Sequence, residues 1–189
     1  MMRKAISGIP FFLGLLTGLY FISFEIVGHS LTYLPAKLGD GRLNLYFLEH
    51  CYQYFTGKVD SFWNAPFMYP EQNIITYSDN LLGSAPFYSI FRLFGINIFT
   101  SFQLWFITIT ALNYSTAYLF LKELVKNNFA SVLGAFIFAF SIALYSQITH
   151  PQTFPRFAIP LAFLMALRFK EKLSPKYFFL SIFFVVYQI

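Results

Sequence analysis

From Ile96 to Leu121 the chain runs without a single charged side chain. A helix needs about 20 such residues to cross the roughly 30 Å hydrocarbon core of a bilayer. The run constrains the fold because lipid supplies no water to backbone N–H and C=O groups, so a segment that enters it must close its hydrogen bonds internally. Other apolar runs extend from Ile9 to about Gly28, with Glu25 near its end, from Phe129 to about Thr149, from Phe157 to Phe169, with Arg168 near its end, and from Tyr177 to Ile189. The expectation is an all-α integral membrane protein, a multi-spanning helix bundle. It has four complete spans, a fifth begun, and a long outer loop over residues 29–95 with interfacial helices in it. Composition agrees: 57% of the 189 residues are hydrophobic and 11% are charged, against about 25% charged in soluble domains.

The first run follows Met1-Met2-Arg3-Lys4, which suits a signal peptide or a retained anchor. It is long for the former and no Ala-x-Ala site follows, so an anchor is expected. Lys and Arg placement sets the orientation, since positively charged loops stay in the cytoplasm. Of 13 basic residues, Arg3, Lys4, Lys122, Lys126, Arg168, Lys170, Lys172 and Lys176 fall in segments that alternate spanning puts on one side. Lys37, Arg42, Lys58, Arg92 and Arg156 are spread over the other. The N-terminus is therefore expected in the cytoplasm, with loop one and a short loop two, about His150 to Arg156, outside. The net charge of +5 forms no basic stripe, which excludes a nucleic-acid partner on the basic-patch criterion. Cys51 is the single cysteine, so there is no intrachain disulfide or thiolate cluster.

In loop one, Arg42, Tyr46, Glu49, His50 and Gln53 recur at helical spacing opposite Leu45, Phe47, Leu48, Cys51, Tyr52 and Phe55. This pattern predicts an amphipathic helix in the membrane interface, its polar face toward water or a cavity. A second helix is expected from Leu81 to Leu93, capped by Ser78-Asp79 and broken near Pro86.

Four constellations bear on chemistry. Gly39-Asp40-Gly41-Arg42 offers a carboxylate on a sharp turn, or an N-cap for the helix that follows. Tyr77-Ser78-Asp79-Asn80 before Gly83 is a second acidic turn with the same two readings. His150-Pro151-Gln152, with Arg156 after it, brings an imidazole to loop two, a hydrogen-bonding residue or a metal ligand. Glu25 lies near the end of the first span, either snorkelling to the interface or buried for function. All four fall on the outer side, where they can converge. Gly-rich phosphate loops, Ser-His-Asp sets and His-x-x-x-His pairs are absent.

Gly39-Asp40-Gly41-Arg42-Leu43-Asn44, Leu48-Glu49-His50, Phe62 to Pro70, Tyr77 to Gly83, Arg92-Leu93-Phe94-Gly95, Phe138-Ala139-Phe140-Ser141 and His150-Pro151-Gln152, in that order, resemble the bacterial membrane glycosyltransferases of the GT-C superfamily. The resemblance is to the branch near the protein O-mannosyltransferases, and it makes the chain the N-terminal part of such a transmembrane domain. It implies a hexosyltransferase of the bacterial cytoplasmic (inner) membrane that takes a sugar from a polyprenyl-phosphate-linked donor. The acceptor would be a lipid, glycan or protein at the extracytoplasmic face. Asp40 matches the acidic residue that the superfamily places at the catalytic centre, as general base or as ligand of a divalent metal ion, with His150 a second ligand. Neither outer loop has an Asp-x-Asp or Asp-x-Glu pair. Arg42, Glu49, His50, Asp79, Asn80, Gln152 and Arg156 would line the substrate site, and Arg42, Arg92 or Arg156 would pair with the donor phosphate. The competing reading is a transporter or flippase of a lipid-linked glycan.

Overall fold

The structure is a computed structural model that describes residues 8–188, and among them it contains helices and turns but no strand. Arg3 and Lys4, used above for orientation, and Ile189 of the fifth run lie outside the described residues. Helix α1 runs from Ile9 to Val27. Pro10 sits in its first turn, where a missing N–H costs nothing, and Leu19–Ser23 form a π-helical turn. Gly28, at φ 75°, ends it. Helix α2 is Asp40–Phe55 and α3 is Ala85–Leu93. Helix α4, Ile98–Val125, starts where Asn97 accepts from the Thr100 N–H. Helix α5, Asn128–Phe140, is capped in the same way by Asn127. A break at Ser141 leads to the single turn α6, Ile142–Tyr145, and then come α7, Ala158–Lys172, and α8, Pro175–Gln188.

Three stretches are long and apolar enough to cross a membrane: Ile9–Val27, Ile98–Val125 and Asn128–Tyr145. Helices α7 and α8, with 15 and 14 residues, rise only about 22 Å each. The expected span from Phe129 to Thr149 is interrupted at Ser141, which is extended and caps the Leu144 N–H, and it ends at Tyr145. The expected helix from Leu81 begins four residues late. Leu81 takes φ 56°, outside the right-handed helical region, and Asn80 Oδ1 accepts from the Leu82 N–H at 2.9 Å. Pro86 therefore occupies the first turn of α3 and breaks nothing.

Two cores hold the bundle. In one, Phe11, Leu15 and Leu19 of α1 pack on Tyr114, Ala117 and Tyr118 of α4 and on Ala135, Ala139 and Phe140 of α5. In the other, Phe47, Leu48 and Cys51 of α2 and Tyr88 of α3 pack on Phe102, Trp105, Phe106 and Ile109 in the first half of α4. Where α1 crosses α5, a Cβ on Gly18 would collide with the edge of the Phe140 ring, the close approach that small residues give apolar helices. Gly18→Leu is expected to lower the melting temperature of the purified protein by several degrees, read by thermal unfolding in detergent. An unchanged melting temperature would mean that this crossing is loose.

The helices sort the chain ends of the bundle by chemistry. Loop one and loop two meet at one end, where Asp40 bonds to His150 and Tyr187 and Gln188 of α8 bond to Gly83 and Pro155. The other end gathers Lys122 on α4 and Lys126 just past it, Arg168, Lys170 and Lys172 on α7, and Lys176 on α8.

The expected polar face of α2 is not a free face. His50 is buried, its Nε2 2.9 Å from the Phe62 carbonyl oxygen, and Glu49 is bonded to α3. Segments 62–75 and α3 fold over the side that a lone interfacial helix would show to water. The apolar side of α2 is covered too, with Phe47, Leu48 and Cys51 buried against α4, while Phe55 at its end is 45% exposed.

Candidate functional site

Asp40 is the first residue of α2, and its carboxylate does not cap the helix. Oδ2 lies 2.6 Å from Nδ1 of His150 and accepts from Gln152 Nε2 at 3.4 Å. Gly41 permits this start, because a Cβ there would collide with Ala36 on the incoming segment, whereas Gly39 faces open space. The hydrogen bonds from His150 and then from Gln152 hold the Asp40 carboxyl below its ordinary pKa of 3.8. Both side chains of the pair remain about half exposed, so solvent and solutes reach them.

Asn44 completes the arrangement. One turn along α2 and 3% exposed, it donates through Nδ2 to Gln152 Oε1 at 2.7 Å and to the Asp40 carbonyl at 2.8 Å. Gln152 is thereby oriented with its amide N–H toward Asp40. Loop two is fixed from beneath by Asn113 of α4, fully buried, which donates to the Phe154 carbonyl at 2.8 Å and accepts from the Arg156 N–H at 3.0 Å. A fully buried amide in an apolar helix is costly unless paired, and here both its donor and its acceptor are used.

Beside this cluster lies a cavity of about 360 Å³ lined by Asp79, Asn80, Gly83, Gln152, Pro155 and Tyr187. Gln152 belongs to both, so the cavity opens next to the Asp40–His150 pair. Asp79 is exposed and caps no helix, since α3 begins six residues later.

The other expected site residues are distributed differently. Glu49 is engaged structurally: its Oε2 accepts from Arg92 Nε at 2.8 Å and from Tyr88 Oη at 2.7 Å, and its Oε1 accepts from Arg92 Nη2 at 3.2 Å. Burial pushes the Glu49 pKa up, but the Arg92 and Tyr88 hydrogen bonds outweigh it and leave it lowered. Arg92 also stacks over the Tyr52 ring, 5.2 Å from its centroid, so its guanidinium is not available to a phosphate. His50 points into the fold. Arg42 faces a separate groove with Lys37, Leu38, Leu45 and Phe102, away from Gln152. Glu25 pairs with His29 at 3.5 Å on the exposed end of α1, and no bond joins it to the cluster. Arg156 stays beside the site, donating through Nε to the Thr153 carbonyl at 2.8 Å, with burial drawing its pKa down.

Asn44 and Asn113 are the residues that sequence reasoning passed over. The spacing of four between Asp40 and Asn44 places them on one helix face, a usable signal. Among the described residues no three His, Cys, Asp or Glu side chains converge as a metal-binding group. No family model, curated protein or solved structure matches the chain.

Proposed function

We propose that this protein is a membrane glycosyltransferase that moves a sugar from a polyprenyl-phosphate donor to a lipid, glycan or protein acceptor. It would sit in a bacterial cytoplasmic membrane with the N-terminus inside and the Asp40 end outside. Support for the orientation comes from the basic residues gathered at the opposite end of the bundle. In this reading α7 and α8 also cross the membrane, as their reach from the basic end back to Gly83 and Pro155 suggests. The observation that carries the chemistry is the Asp40–His150 pair, drawn from two loops 110 residues apart and open to solvent beside a cavity of mixed polar and apolar lining.

A carboxylate bonded to Nδ1 fixes the imidazole with Nε2 as the free nitrogen and stabilises the imidazolium that forms when Nε2 takes a proton. No partner occupies Nε2 of His150 among the described residues. In the proposed reaction the acceptor hydroxyl oxygen attacks the anomeric carbon and its proton passes to His150 Nε2. The bond from the anomeric carbon to the phosphate oxygen breaks, its electron pair leaving with polyprenyl phosphate. Arg156 is the cation placed to meet that phosphate, and Asp79 and Asn80 line the space for the sugar or acceptor. Should a divalent ion take part, Asp40 and His150 would hold it, and His150 would then be a ligand in place of the base. The ion would neutralise the leaving phosphate.

His150→Ala in the full-length protein, assayed in vesicles with a polyprenyl-phosphate sugar, is expected to lower kcat on the order of 100-fold and to change the donor KM far less. A variant as active as the wild type would remove His150 from the reaction.

A further inference from the structure

The opposite end of the bundle carries a second cavity, about 540 Å³, between α4 and α7. Its walls include Leu119, Leu161 and Met165, and its rim carries Lys122, Lys126 and Arg168. One acid accompanies these cations: Glu123 Oε2 stands 3.7 Å from Arg168 Nη2, beyond hydrogen-bond distance. Lys122 donates to the Tyr118 hydroxyl at 2.9 Å, a neutral partner, and Lys126 is exposed at the end of α4 with no acidic partner among the described residues. Three cations against one acid therefore edge an apolar groove. The preference for basic residues at a cytoplasmic boundary explains their presence at that end, but not their convergence on one cavity.

We infer that this groove binds one anionic glycerophospholipid of the surrounding leaflet, its phosphate between Lys122, Lys126 and Arg168 and an acyl chain along Leu119, Leu161 and Met165. The chemistry is complementary in both parts, since basic pockets between membrane helices on the cytoplasmic side select anionic headgroups while the Leu and Met walls accept hydrocarbon. The inference uses the membrane placement of the bundle and none of the transferase chemistry. The lipid would pin α4 to α7 across the groove and so act on the helix whose Asn113 holds loop two.

The test is native mass spectrometry of the full-length protein in mild detergent, titrated with dioleoyl phosphatidylglycerol and, separately, with dioleoyl phosphatidylcholine. Wild type is expected to retain phosphatidylglycerol selectively. Lys122→Gln with Lys126→Gln, both at exposed positions, is expected to weaken that retention roughly 30-fold, about 1 kcal/mol for each cation. Lys170→Gln with Lys172→Gln removes the same charge outside the groove and is expected to leave retention within about twofold. Equal loss in both double variants would overturn the site in favour of diffuse surface charge, and equal retention of the two lipids would overturn its selectivity. Competition by inorganic phosphate would show an ion site without a lipid, and no retained lipid at all would show the groove to be filled by protein. Extraction of the protein from membranes by alkaline carbonate would instead defeat the membrane placement on which this inference and the proposed function both stand, which separates that failure from the others.

Discussion

Asp40→Asn is expected to reduce sugar transfer by two to four orders of magnitude while leaving the protein folded and the donor KM little changed. Asparagine keeps the shape of the side chain but loses the charge that stabilises an imidazolium on His150, and its amide can present an N–H where Nδ1–H needs an acceptor. The fold should survive because the pair is half exposed, and exposed ion pairs contribute about 0 to 1 kcal/mol. Activity and melting temperature measured on one preparation separate the two effects, and Asp40→Glu should recover part of the rate. The pH profile adds a check. Because the folded-state pKa of Asp40 is depressed, the stabilisation from its pair is present above 3.8 and is lost only as pH falls through the lower folded value. An acid limb in kcat at pH 5 to 7 must then arise from another group. If Asp40→Asn transferred sugar at the wild-type rate, the proposed centre would be wrong.

The second large effect lies away from the chemistry. Glu49→Leu alone is expected to destabilise the protein by about 3 to 5 kcal/mol, the usual result of leaving one member of a buried ion pair uncompensated. Glu49 and Arg92 are 14% and 18% exposed, and Tyr88, wholly buried, would lose its acceptor as well. Burial first, and then the Glu49 carboxylate that its hydroxyl contacts, raise the Tyr88 pKa, so this phenol stays a neutral donor. The double variant with Arg92→Leu should regain much of the lost stability, since two apolar side chains in place of a buried pair are often neutral. Unfolding in a graded denaturant series for wild type, both single variants and the double variant gives the coupling energy directly. A coupling near zero would mean that Glu49 and Arg92 do not depend on one another, and Arg92 would then return as a candidate phosphate ligand.

Long-range apolar patterning was readable, and local polar bonding was not. The run from Ile96 to Leu121 declares its helix because nothing in it can face water, and the structure extends it to Val125. The alternation of polar and apolar positions in α2 was real, but it could not say what covers the polar side. Glu49 and His50 look like solvent or substrate groups until α3 and the Phe62 carbonyl are placed against them. The start of α3 depended on one backbone conformation, Leu81 in the left-handed region, which carries no compositional mark. For the site, residue type and side of the bundle nominated Asp40, Asp79, His150 and Glu25; the structure bonds Asp40 to His150 and to Gln152, sets Asp79 on the neighbouring cavity and leaves Glu25 with His29. Asn44 and Asn113 were not nominated as site residues, because nothing in the sequence marks what they bond to. Their importance comes from the partners that folding supplies.

The Asp40–His150 pair has a consequence for how the protein is made. Its two halves are separated by 110 residues, and the polypeptide between them includes the α4–α5 hairpin. At 5 to 20 residues per second, translation delivers Asp40 roughly 5 to 20 seconds before His150. Until the chain has reached loop two, the Asp40 carboxylate lacks the imidazole it pairs with. Any chemistry that needs both side chains must therefore wait until loop two has folded against the start of α2.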